Sequence, residues 1–153
     1  MKRIFVAALA AAGFGLSANA VAQEHWTEGP VWSCTYIAVS GENWDKYMLY
    51  LRRNTLPLIN AQKQAGLVLD WKTFVKPQSN PSDWNWASCT QFRSYGEAMD
   101  FNAADDAKLK GIAAAHWKTQ DEEAQRKAAS ERFALRKVVS TQLMRQITFR
   151  PAP

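Results

Sequence analysis

Two short segments of this chain echo each other, and the echo limits what the chain can fold into. Trp32-Ser33-Cys34-Thr35 lies within the apolar run Val31 to Val39, and Trp86-Ala87-Ser88-Cys89-Thr90 repeats its pattern later. The two copies hold the only two cysteines among 153 residues. Both runs are rich in aromatic and β-branched residues, as strands are. One strand, its echo and a possible bridge between them set the architecture.

Alternation along the first strand sends Trp32, Cys34, Tyr36 and Ala38 to one face and Ser33, Thr35, Ile37 and Val39 to the other. Neither face is strongly polar, so the strand is expected to be central, covered on both sides. Ser40 to Asn43 reads as a turn and helix start. Trp44, Tyr47, Met48, Leu51, Leu58 and Ile59 then recur at helical spacing. Pro57 lies inside this pattern, which predicts a kink or break near Arg53 to Leu56. Gly66 suits the residue just past the helix end. A second strand is expected over Leu67 to Val75, and a loop over Lys76 to Asp83. A third strand is expected over Trp84 to Arg93, with Trp84 and Trp86 on one face. Ser94 to about Ser140 reads as helix in two or three pieces, with a break at Asn102 and a last piece from Asp121 to Val139. Leu143 to Phe149 reads as the final strand.

The order is β-α-β followed by β-α-β. It predicts an α+β fold: a ferredoxin-like βαββαβ sandwich, with a four-stranded antiparallel sheet, helices on one face and an enlarged second helical region. In that arrangement the first and third strands are central neighbours related by a pseudo-twofold axis. Equivalent positions near such an axis face one another, so Cys34 and Cys89 are predicted to form a cross-strand disulfide.

The N-terminus reads differently. Met1-Lys2-Arg3 is basic, Ile4 to Leu16 is apolar and Ala-rich, and Ala18-Asn19-Ala20 and Ala20-Val21-Ala22 offer cleavage patterns. Residues 1–22 are expected to be a secretory signal peptide, cleaved after Ala22 or Ala20. Residues 23–30 form a lead-in and 31–150 a single domain, periplasmic or secreted, where a disulfide persists. Losing Lys2 and Arg3 lowers the net charge from +5 to about +3, with no Lys/Arg run. No nucleic-acid partner is expected from this pattern, and no membrane partner after signal cleavage. No zinc-type Cys/His cluster, phosphate loop or Gly-x-Ser-x-Gly elbow is present in the sequence.

From Val31 to Phe149 the chain carries further cues: Trp32-Ser33-Cys34-Thr35-Tyr36-Ile37 in the first strand, Leu56-Pro57-Leu58 in the helix, Gly66-Leu67-Val68-Leu69 before the second strand, and Asn80-Pro81-Ser82-Asp83-Trp84 before the third. Together these resemble the dimeric α/β-barrel superfamily, which includes the NIPSNAP-like, EthD-like and antibiotic-biosynthesis-monooxygenase-like families. The resemblance implies a homodimer in which two sheets pack face to face. It also implies a cavity between each sheet and its own helices, where many relatives bind substrate or haem. No catalytic residue of a named branch maps onto this chain.

The candidate ligand-binding residues are Trp32, Tyr36, Trp71, Trp86 and His116, with Trp84 a further strand aromatic. Large aromatics line pockets for flat or apolar molecules. They also supply buried area in cores and interfaces, which is the commoner use. His116 is a lone histidine, as suited to a structural role as to holding haem iron. Asp70, Arg93 and Arg145 are strand charges that could share a site, whereas Asp105-Asp106 and Asp121-Glu122-Glu123 fan around helix starts. Cleavage after Ala22 would expose Gln23-Glu24-His25, whose amine, amides and imidazole suit square-planar Cu(II) or Ni(II), so His25 is a conditional metal candidate. The leading expectation is an exported homodimer binding a small, partly apolar or aromatic molecule in the sheet–helix cavity, with no cofactor predicted. The alternatives are a cofactor-free oxygenase or haem-handling enzyme, and a non-catalytic structural module.

Overall fold

A computed structural model describes residues 25–152. The signal peptide expected over residues 1–22 lies outside the described residues. The first strand, β1, spans Trp26–Ala38 and so begins earlier than the expected Val31. Pro30 lacks an N–H and is accommodated where the pairing slips between Glu28 and Val31. Gly29 keeps the backbones close in that slip: a Cβ there would sit 3.2 Å from the Gln146 carbonyl oxygen, which would have to give by a few tenths of an ångström.

A single turn over Gly41–Asn43 leads into helix α1, Trp44–Tyr50, and then α2, Leu56–Gln64. Between them Leu51–Thr55 forms a π turn. Pro57 cannot donate to the carbonyl one turn back, and its ring crowds that carbonyl. The widened turn absorbs the dislocation, so the disturbance expected near Arg53 to Leu56 is present without ending the helix. Helix α2 closes with Gly66 at φ 72°. The Leu67 N–H donates to the Gln62 carbonyl at 3.0 Å and the Gly66 N–H to that of Lys63 at 3.1 Å. This pair of bonds satisfies carbonyls that the helix end would otherwise leave open.

Strand β2 is Asp70–Val75 and β3 is Trp86–Phe92, both shorter than expected. Three helices follow: α3 over Tyr95–Met99, α4 over Ala103–Trp117 and α5 over Glu122–Leu135. Asn102 caps α4 by accepting from the Ala104 and Asp105 N–H groups, which accounts for the break expected there. The last strand, β4, is Lys137–Phe149. The helix expected to reach Val139 therefore stops earlier, and Arg136 is already extended at φ −148°, ψ 159°. Val138, Val139 and Thr141 are β-branched and find a long partner in β1.

The strands form one antiparallel sheet in the order β2-β3-β1-β4, so the fold is α+β with an open sheet. The two echoing strands are neighbours, and Cys34 stands directly opposite Cys89. The expected disulfide joins them, with Cα atoms 4.0 Å apart. The core lies between the sheet and α1: Ile37, Val39, Tyr47, Leu51 and Trp86 are buried, with Trp44, Met48 and Leu135 against them. Asn85 clasps this end. Its side chain accepts from the Val39 N–H at 2.9 Å and donates to the Val39 carbonyl at 2.8 Å. Among the described residues no helix is long and apolar enough to cross a membrane.

Candidate functional site

The site follows from alternation in β1. Ile37 turns toward the helices and joins the core, so Trp32, Cys34 and Tyr36 turn the other way. Register carries the same parity across the sheet. Cys34 lies level with Cys89 and, beyond it, Lys72; Tyr36 lies level with Ala87 and Phe74; Trp32 lies level with Met144. The disulfide and the small Ala87 form a low floor among tall aromatic neighbours. The result is a depression of about 690 Å³ on the face away from the core. Strand and loop residues line it, chiefly Trp32, Tyr36, Phe74, Trp84 and Met144, with Lys72 and Gln146 as polar members.

Two of its aromatic walls are held in place. The Trp32 indole N–H donates to Gln146 Oε1 at 3.2 Å, and the Lys72 ammonium lies 5.3 Å from the Trp32 ring centre. Trp84 belongs to the β2–β3 loop, not to β3, and the loop is organised by Asp83. The Asp83 carboxylate takes the Lys76 ammonium and the Ser79 and Trp84 N–H groups. The bond from Lys76, helped by those amides, holds its pKa down at about 2. Trp84 is thereby set against Tyr36, edge to face at 5.1 Å, with the Lys76 ammonium 4.8 Å from its ring.

The expectation that Trp84 and Trp86 share a face is therefore corrected. Trp86 is the first residue of β3 and points into the core, edge-on to Tyr47 at 6.4 Å, only 8% exposed. Trp71 pairs with Thr90 on the core side, and its indole N–H donates to Ser88 Oγ at 2.8 Å. His116 is elsewhere, on α4, where its Nε2 meets Asn54 Oδ1 at 3.2 Å and its ring packs edge-on to Trp117. It borders a groove with Pro57, Leu58 and Ile112. Of the five candidate ligand-binding residues, then, only Trp32 and Tyr36 come together at the depression. Phe74, Met144, Lys72 and Gln146 were not singled out by sequence. Carrying the alternation of β1 across to β2 would have found Lys72 and Phe74.

Asp70, Arg93 and Arg145 do not converge. Asp70 pairs with Lys63 at 2.8 Å, Arg93 with Glu97 at 3.3 Å, and Arg145 with Glu28 at 2.8 Å. The helix-start acids pair locally, Asp105 with Lys108 and Asp106 with Lys110, while Asp121 caps α5. The His25 carbonyl accepts from the Arg150 N–H at 2.9 Å, extending the β1–β4 ladder, whereas Gln23 and Glu24 lie outside the described residues. Among the described residues no three His, Cys, Asp or Glu side chains gather as a metal site.

The depression suits binding. Its aromatic walls can stack against a flat apolar group, Lys72 can meet a negative or acceptor atom, and the Gln146 amide can add a hydrogen bond. No acid–base pair lines it. No family model, curated protein or solved structure matches the chain.

Proposed function

We propose that this is an exported, homodimeric binding protein of ferredoxin-like topology that holds a small, flat, partly apolar molecule at its open sheet face. One observation carries the reading. An aromatic depression with one cation lies on a sheet face that the core does not use. Phe74 at 50% and Val75 at 64% exposure form part of its rim. Contiguous exposed apolar surface of this kind marks a binding face. The binding place thus moves from the sheet–helix layer, where Trp86 and Tyr47 pack, to the opposite side. A second copy laid face to face would cover the rim and enclose the ligand between two aromatic surfaces. The antiparallel sheet with β1 and β3 central suits the ferredoxin-like order, and the disulfide suits an oxidising compartment. Of the enzymatic alternatives, haem handling rests on His116, which stands outside the depression and is tied to Asn54, and a cofactor-free oxygenase has no acid–base pair in the depression's lining; both are the weaker readings.

The test titrates the protein with 1-anilinonaphthalene-8-sulfonate, a flat, apolar, anionic probe. Saturable fluorescence that Trp32→Ala and Lys72→Met each weaken by about tenfold is expected. Non-saturating binding, or binding indifferent to both changes, overturns the ligand reading. Light scattering at micromolar concentration gives twice the chain mass if the dimer forms, and a monomer mass removes that part.

A further inference from the structure

At the other end of β1 the molecule gathers positive charge that no ion pair among the described residues neutralises. Arg132 and Arg136 lie on and just past the last turn of α5, and Lys137 opens β4. None of the ion pairs among the described residues uses any of the three. Glu131, the adjoining carboxylate, is exposed and pairs with neither arginine. The Nε atoms of both arginines are buried without an acceptor. Arg136 spends one N–H on the Tyr47 hydroxyl at 3.0 Å, and Arg132 lies 5.1 Å from the Phe133 ring centre. Both side chains are part-exposed, and neither has a carboxylate partner among the described ion pairs, so their charge is open to an anion.

Tyr47 does not supply that charge. Burial raises its pKa against the pull of Arg136 and Arg132, which keeps the phenol neutral.

A cleft of about 380 Å³ opens onto this cluster. Arg136 and Lys137 line it together with Ser40 and Asn43, and no acidic residue does. Neither Ser40 nor Asn43 uses its side chain to cap the helix it precedes. Their hydroxyl and amide are thus not committed to the caps that such residues commonly form. None of the residues lining this cleft lines the aromatic depression.

The structure assigns this cleft, between the β1–α1 turn and the α5–β4 junction, as a binding site for a small anion of the carboxylate or phosphate class. Arg136 is its principal ligand and Lys137 stands at its mouth. The second terminal amino group of Arg136, which Tyr47 does not take, and the Lys137 ammonium can each donate to an oxygen of either group. Arg132, four residues before Arg136, carries a further charge outside the cleft lining.

The experiment adds inorganic phosphate or sodium acetate to the full chain at constant ionic strength, with sodium chloride as reference. Tryptophan fluorescence and the thermal midpoint are read together. A saturable response to at least one anion, beyond that of chloride, is expected. Phosphate alone identifies a phosphate-class ligand, and acetate alone a carboxylate. Arg136→Lys keeps the charge but loses the terminal amino group that Tyr47 orients toward the cleft lining, and should weaken the response about tenfold. Lys137→Met, at an exposed position, should weaken it several-fold with the fold retained. No response beyond chloride, or one that both variants leave unchanged, overturns the site. Neither variant touches the aromatic depression, so dye binding there is read independently.

Discussion

Trp84 and Trp86 flank one residue, Asn85, and have opposite fates. Trp84 rests on Tyr36 at the open face of the sheet, while Trp86 is buried on the other face against Tyr47. Simple alternation would give them the same surroundings. The difference is made between them and before them. Asn85 clasps Val39 with two hydrogen bonds, and Asp83 holds the preceding loop through Lys76, Ser79 and the Trp84 N–H. One tryptophan thus serves the fold and the other lines a surface. The two faces of the sheet divide in the same way, one closed around the core and one left as an aromatic depression.

This division can be broken at several points. Trp86→Ala should cost about 3–5 kcal/mol of stability by leaving a cavity beside Tyr47, measured by urea denaturation. Trp84→Ala should cost less than about 1 kcal/mol while weakening probe binding at the open face. Equal losses from the two changes would erase the contrast between faces. The disulfide comes next. Its half-cystines are separated by 55 positions, and closing a loop of that length contributes about 4 kcal/mol in the chain-entropy model, less any strain. Cys34→Ser with Cys89→Ser should lower the denaturation midpoint accordingly. The double change should also disturb the depression, whose floor the bridge forms.

Asn85→Ala should cost about 1–3 kcal/mol, because Val39 is 1% exposed and both its backbone groups lose their partner. It should also shift the Trp84 emission if the clasp is what separates the two tryptophans. An unchanged Trp84 signal would place that control in the Asp83 loop alone. The smallest effect concerns acid. The Asp83 pKa is depressed from 3.8 to about 2 in the folded chain. Its stabilising contribution is therefore complete above about pH 4 and is lost as the pH falls through about 2. The part of the tryptophan emission that Trp84→Phe removes, taken as the difference between the two proteins because the chain has seven tryptophans, should change near pH 2. A change centred near pH 4 would show that Lys76 and the amides do not hold the carboxylate.

Much of the sheet was legible before any coordinates. The cysteine echo pointed to β1 and β3 as neighbours, and Cys34 does stand opposite Cys89 and is bridged to it. Pro57 and Gly66 marked their helix features through local sterics, which need no tertiary partner. The beginning of β4 was not legible. Lys137 to Gln142 extends a charged helix in sequence, and only pairing with β1 draws it into a strand. The site was half legible. Trp32 and Tyr36 share a face by parity alone, but Trp71 and Trp86 were grouped with them although they lie on the core side.

By itself the sequence determined which residues share a side of each strand, where helices are capped or interrupted, and which two cysteines can pair. These are matters of backbone sterics and period, settled within a few residues. Tertiary structure alone decided which side of the sheet the helices cover. Both sides of β1 are apolar enough to be buried, so composition does not choose between them. The choice comes from α1 and the π turn after it packing Tyr47 and Leu51 onto Ile37 and Trp86. That packing leaves Trp32 and Tyr36 facing outward around the disulfide, where the Asp83 loop adds Trp84.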